Sequence, residues 1–456
     1  MMNKHWQPAL FTLAFLPATA FADPNSEKEF EPLARNYFTI DAAASSLEAT
    51  SDDDVDPLEF DVFWKDGINF RTKDKQFSAK LGGRIHHDWA WFSEDIERKS
   101  AGAVDFENGT EFRRARLFLS GKAQGDIEFK LQVDFAADAT GANFKDVFVG
   151  YVPTKQTNIR VGQFNEPFSM GTVTSSNYTT FLERPISAQI ADDRNVGFMF
   201  HGRDDSERTT YALGVFKDDN DVGAANAGTK GGGTSETGDY AFTGRVTRLT
   251  VDSGDNLVHI GIGVSLRNAP GGMFDADFRP SAHLAPKTIN NTAFPADDVV
   301  NVNLEAAVVS GSFWAGAEVV RSEIDARDGM LDAIINGRYI EAGYFLTGET
   351  RPFKRANGTW GKVKPNHPRG GKDNGCGAFE LAVRFAEVEF ENLRSGGAIF
   401  TDELSDITVG LNWYLTNTAR IMFNYVMFDL DSQSANTGAG LKGDGTAFQT
   451  RFSVFM

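Results

Sequence analysis

The chain of 456 residues carries a formal charge of −18 and a single cysteine, Cys376. That acidity argues against nucleic acid as a partner, and one cysteine leaves an exported chain no intramolecular disulfide. Beyond residue 22 no stretch approaches the ~20 continuous apolar residues that a spanning helix needs, so a helical membrane protein is excluded. With 39 phenylalanines and 45 glycines against 15 prolines, the composition suits an all-β chain with aromatic faces and glycine-rich loops.

The first residues set the compartment. Lys4 precedes an apolar run from Ala9 to Phe15, and Ala20-Phe21-Ala22 has the small-x-small form that signal peptidase cuts. A cleaved signal peptide is therefore expected over 1–22, with the mature protein starting at Asp23. The apolar run is too short to cross a bilayer of about 30 Å, and loss of Lys4 makes the mature chain one charge more negative. Asp23 to Trp64 is weakly periodic and holds the acidic run Asp52, Asp53, Asp54 and Asp56, which reads as a periplasmic extension over 23–76 ahead of a barrel over 77–456.

Strict alternation then recurs many times. From Asp126 to Phe135, Ile127, Phe129, Leu131, Val133 and Phe135 interleave with Asp126, Glu128, Lys130, Gln132 and Asp134, giving one oily and one charged face. The same period appears over 77–91, 112–121, 144–151, 158–164, 195–201, 210–216, 240–248 and 257–267, and then over 299–309, 312–320, 338–346, 379–387, 405–413, 420–428 and 447–456. A soluble sandwich would bury each oily face against a second sheet; a charged face on strand after strand instead predicts an antiparallel transmembrane barrel of about sixteen strands.

Connections alternate in length, short ones such as 122–125 and 153–157 separating long ones such as 93–111, 165–194, 217–239 and 268–298. Short turns belong to the periplasmic rim and long loops to the outside. Thr347 to Gly377 breaks the rule, being long on the short-turn side, so either a strand is miscounted or that turn has its own task. Trp89, Trp91, Tyr151, Tyr211, Trp413 and Tyr425 fall near strand ends, where amphipathic rings suit the lipid headgroup level.

With the strands placed, local wording becomes distinctive: Lys80-Leu81-Gly82-Gly83-Arg84, Phe112-Arg113-Arg114-Ala115-Arg116-Leu117, Val161-Gly162-Gln163-Phe164-Asn165-Glu166-Pro167-Phe168, Phe181-Leu182-Glu183-Arg184 and Val409-Gly410-Leu411-Asn412-Trp413-Tyr414. From about Phe77 to the C-terminus the chain resembles the phosphate- and polyphosphate-selective porin O/P family. The resemblance implies a sixteen-stranded, usually trimeric barrel of the Gram-negative outer membrane whose third long loop, here Asn165 to Arg194, folds inward and narrows the lumen. It also implies anion preference through inward arginines, with Arg84, Arg113 and Arg114 in the matching motifs.

Read from the residues, Arg84, Arg114, Arg116 and Lys80 share the polar parity of their strands and should project into the pore, where guanidiniums can orient anion oxygens. The competing reading pairs them with Asp88, Glu128 or Asp134, so that they merely neutralise the interior. Departures from the family pattern temper any phosphate affinity. Thr172 and Asn177 stand where relatives place loop lysines, within a constriction segment that also offers Ser169, Thr174, Ser175 and Ser176. After the ninth strand Arg279 is kept, but Ser281 and Ala285 replace further arginines.

Other signals carry little. His86 and His87 are adjacent, point to opposite faces of a strand and cannot chelate one ion, so no metal site or cofactor is expected. Gly223 to Lys230 imitates a phosphate-binding loop but has Thr229 at the lysine position, and it reads as an external loop. No Ser, His and Asp spacing suggests a triad and Gly-x-Ser-x-Gly is absent, so no enzyme is expected. Phe455 followed by Met456 departs from a terminal aromatic. The sequence thus predicts a passive porin for small hydrophilic solutes in contact with outer-membrane lipid, with modest anion preference. A structural or adhesive barrel with a closed lumen is the alternative, and an active transporter would need a folded plug longer than Asp23 to Lys75.

Overall fold

A computed structural model describes residues 59–98, 105–136, 142–191, 194–217, 239–290, 293–327, 329–370, 374–395, 398–433 and 440–456. The expected signal peptide, the acidic run Asp52 to Asp56 and the segment Gly223 to Lys230 lie outside these described residues.

Sixteen long strands form the wall. The first nine are β1 (Ser78–Arg98), β2 (Gly109–Ala123), β3 (Ile127–Asp134), β4 (Asn143–Tyr151), β5 (Asn158–Asn165), β6 (Arg194–Arg203), β7 (Thr209–Lys217), β8 (Tyr240–Ser253) and β9 (Asn256–Asn268). The remainder are β10 (Phe294–Ser310), β11 (Phe313–Ala326), β12 (Ala333–Phe345), β13 (Ala378–Ser395), β14 (Ala398–Tyr414), β15 (Ala419–Ser432) and β16 (Leu441–Phe455). Each pairs antiparallel with the next, and β16 pairs back onto β1 from Leu441 opposite Arg98 to Phe455 opposite Arg84, so the sixteen strands close into a barrel. Every span of alternation in the sequence falls within one of these strands to within a residue at either end.

The alternation is inside out relative to a soluble protein. On β11 Val319 is 55% exposed while its neighbour Glu318 is 3% exposed, because the outer face meets lipid and the inner face meets other polar groups. Towards the long-loop rim the phase inverts. On β13 the outward residues change from Leu381 and Val383 to Glu389 and Glu391, while Val388 and Phe390 turn inward and are fully buried. There the outside is water, and the barrel mouth holds an ordinary apolar core of strand ends packed on Phe278 and Ile289 from the loop between β9 and β10.

Two further segments enter the lumen. The loop after β5 carries a single helical turn, α1 (Met170–Val173), capped by the Ser169 hydroxyl, and a 3-10 turn over Ile186–Gln189. The long turn 346–377 is on the short-turn rim, as strand parity requires, so no strand was miscounted. It folds up inside the wall, where Trp360 packs edge to face on Trp314 of β11 at 5.3 Å. Within the expected extension, Phe60–Trp64 and Ile68–Thr72 form a hairpin whose second strand pairs with the start of β1, Ile68 opposite Leu81. The sheet therefore begins earlier than residue 77.

Candidate functional site in the lumen

The loop after β5 is held by guanidiniums on one side and carboxylates on the other. Arg420 donates to the Thr179 carbonyl at 2.7 Å, Arg451 to Leu182 at 2.5 Å, Arg384 to Glu183 at 2.9 Å, and Arg351 of the inserted turn to Tyr178 at 2.6 Å. Across the barrel the first amides of α1, which have no partner within the helical turn, meet acids: Met170 N–H donates to Glu305 at 2.8 Å and Gly171 N–H to Glu318 at 2.7 Å. Free amides at the start of a helical turn and free carbonyls in an irregular segment are buried at a cost unless paired, and the wall supplies complementary charge to both. Arg184 adds an internal tie, donating to the carbonyls of Gly171, Thr172 and Thr174.

Beside this loop lies a chamber of about 490 Å³ bounded by β1 to β8, the loop and the inserted turn. Eleven arginine and lysine residues line it against one carboxylate residue, Asp146. The excess is partly compensated by acids set back in the wall. Arg116 donates to Asp134 at 2.6 Å, Arg160 to Glu128 at 2.8 Å and Arg245 to Glu305 at 2.5 Å, while Lys130 and Arg194 share Asp146.

The motif arginines divide between the two readings the sequence allowed. Arg113 forms a bidentate pair with Glu183, at 2.9 and 3.0 Å. Strand parity alone would not put both Arg113 and Arg114 inside; a bulge sets His86 opposite Arg114 and His87 opposite Phe112, and the extra residue is Arg113. Arg114 is buried, lies 4.0 Å from Glu183, and its Nε and Nη1 have no hydrogen-bond partner among the described residues. Arg84 reaches only the Ser176 hydroxyl, at 2.8 Å, and has no carboxylate within ion-pair distance among the described residues. Asp88 is taken by Arg451 and Glu111 by His283.

Other predicted residues scatter. Thr174, Ser175 and Ser176 face the chamber. Asn177 contacts the buried His86 at 3.2 Å, and Ser169 and Thr172 bond to each other at 2.8 Å in the α1 cap, away from the chamber. Lys80 sits near the N-terminal hairpin, its ammonium 5.8 Å from the Phe118 ring, and Arg279 is spent on the carbonyls of its own loop at His283 and Ala285. Ser281 and Ala285 are buried in that loop.

Lys354, on the inserted turn, is a chamber residue that strand parity does not reveal. It faces Lys130 and Arg84 across the chamber, and burial together with those two cations holds its ammonium below the usual lysine range. Glu183 shows the opposite balance: burial alone would raise its carboxyl, but Arg113, Arg114 and Arg451 hold it well below the usual carboxylate range. The signal for Lys354 is in the sequence, as the close run of Arg351, Lys354 and Arg355 within the one turn too long for its rim.

A closed sixteen-stranded barrel with an apolar outer face, short turns at one rim and polar side chains around an inner chamber defines an outer-membrane porin, a passive channel. The model of the family described as phosphate-selective porin O and P matches residues 79–455, and the chain belongs to that family. It is 27% identical over 429 residues to Porin O of Pseudomonas aeruginosa, covering 87% of this chain and 92% of that one. It is 28% identical over 379 residues to an uncharacterised protein of Caulobacter vibrioides, covering 81% of this chain and 72% of that protein. Among solved structures, the trimer form of OmpT from Vibrio cholerae superposes with a TM-score of 0.51 at 14% identity, over 83% of this chain and 99% of that one, a likeness of fold.

Proposed function

We propose that this outer-membrane porin is a non-catalytic, modestly anion-preferring channel whose aperture is set by the loop over 166–193. The carrying observation is the chamber lining, eleven basic residues to one acidic, with Arg84 and Lys354 lacking any close carboxylate among the described residues. Low-dielectric walls focus the field of such a bank, raising the local concentration of anions. The seating of the loop on Arg384, Arg420 and Arg451 supports its role as the narrowest element. The phosphate selectivity in the family's name supports small anions as the solutes, and the missing loop lysines at Thr172 and Asn177 favour a weak over a strong phosphate site.

A homotrimer in lipid is the assembly proposed, supported by the trimeric form of the Vibrio cholerae relative in fold. A larger, heat-sensitive band in mild detergent tests it; a monomer under every mild condition overturns it. The reversal potential across a potassium chloride gradient tests the main reading. A value on the anion side is expected, and a cation-selective channel would overturn it. The closed-lumen alternative draws on the segments that enter the barrel, and absence of any unitary conductance would favour it.

A further inference from the structure

The chamber wall changes character along its length. Next to its charged part, Phe148, Phe164, Met199 and Ala212 line the same cavity. Phe216 and Ala241 complete an apolar cluster behind them, on the inner face of β4 to β8. Phe148 and Phe164 meet edge to face at 6.0 Å, and Phe164 meets Phe216 at 5.6 Å. Phe148 is half-buried, whereas Phe164 and Met199 in the same cluster are buried.

Such a wall does nothing for a hydrated inorganic ion. Apolar surface offers no group to replace lost hydration, and leaving it against water is unfavourable. It is also continuous with the cations. The Arg160 guanidinium lies 4.1 Å from the Phe148 ring centre and 5.5 Å from that of Phe164 while bonded to Glu128. A cavity of about 490 Å³ holds far more than one inorganic oxyanion.

Building on the anion-preferring reading above, we propose that the chamber is a binding site for an organic anion that carries an apolar ring. The charged head engages Arg84 beside the Ser176 hydroxyl, and the ring lies on Phe148 over Met199. The Phe148 ring and the Arg160 guanidinium, packed on each other in the wall, give a flat ring a preformed surface, so little ordering is lost on binding.

The test uses the full-length porin in a planar bilayer, with phenyl phosphate and methyl phosphate as probes of equal charge. Phenyl phosphate is expected to half-block the chloride current at a concentration about tenfold lower than methyl phosphate, the effect of one stacked ring. Phe148→Ala should bring the two within about twofold of each other. Phe148→Leu, which keeps bulk but removes the ring face, should give an intermediate ratio and carries the test if the alanine variant does not assemble. Equal block by both probes in an anion-selective channel overturns the inference while sparing the reading beneath it. A ring preference that survives both substitutions overturns the site. A cation-selective channel blocked by neither probe overturns both.

Discussion

Arg84 donates to the Ser176 hydroxyl at 2.8 Å, joining the first barrel strand to the inserted loop, and no carboxylate lies within ion-pair distance of it among the described residues. Arg116, directly opposite Arg84 on β2, is bound to Asp134 at 2.6 Å. Two arginines that look equivalent in sequence therefore differ in the field they present to the pore. Arg84→Ala is expected to lower the chloride-to-potassium permeability ratio by about two- to threefold, and Arg116→Ala by less, with reversal potential as the readout. The difference should shrink as salt rises, since screening acts over about 8 Å at physiological ionic strength. Equal effects of the two substitutions would show that the ion pair does not mask Arg116.

Glu183 is gripped by Arg113 and Arg451, so Glu183→Gln strips Arg113 of its carboxylate and leaves Arg451 with Asp88 alone. The variant should lose heat resistance, seen as a lower temperature for the band shift in detergent gels. The sign of the pH dependence follows from its depressed folded-state value. The contribution is fully present above the unfolded carboxyl range, about 4.3, and is lost only as pH falls through the lower folded value. The gap between wild type and variant should therefore hold from pH 7 to about 5 and close only in stronger acid. A gap that closes near neutrality would contradict the clamp.

Removing residues 169–177 takes away α1 and the Ser176 contact while sparing the Leu182 and Glu183 anchors. Unitary conductance should rise by about twofold or more, as a narrow path gains cross-section. An unchanged conductance would place the narrowest point elsewhere, and the inserted turn would be the next candidate.

Lys354 reaches the chamber from the periplasmic rim, and its ammonium is held below the ordinary lysine range by burial and by Lys130 and Arg84. It loses its charge as pH rises through that lowered value, so its share of the anion preference is present at neutral pH and fades before the usual lysine range near about 10.4. Lys354→Gln should lower the anion preference at pH 7 and flatten the alkaline part of the pH profile. A profile identical to wild type would remove Lys354 from the ion path.

Strand count, rim polarity and membrane class were legible because lipid imposes one period on every strand: Ile127, Phe129 and Leu131 cannot be read any other way in a closed barrel. Strand ends were not, because the period survives while its phase inverts. Val388 and Phe390 face inward above the membrane on the same strand that turns Leu381 and Val383 outward, and the alternation reads as broken at that crossing. The site was half legible. Arg84, Arg114 and Ser176 line one chamber, but the bulge that admits Arg113 and the pairing that quiets Arg116 depend on partners in β1, in β3 and at Glu183. The carbonyl-capping roles of Arg384, Arg420 and Arg451 had no local signal, since each reaches a backbone about 200 or more positions away.

The pair of Arg451 and Asp88 spans 363 positions and bridges the seam where β16 meets β1. Until that last strand arrives, the sheet is an open ribbon with two unpaired edges, in the state most prone to stick to its own kind. The same guanidinium also holds the Leu182 carbonyl of the inserted loop. Closing the wall thus also adds one of the loop's anchors, beside those that Arg384 and Arg420 supply from other strands. A chain halted short of Arg451 would leave the seam unpaired and Leu182 without its guanidinium, so one truncation touches both wall and loop.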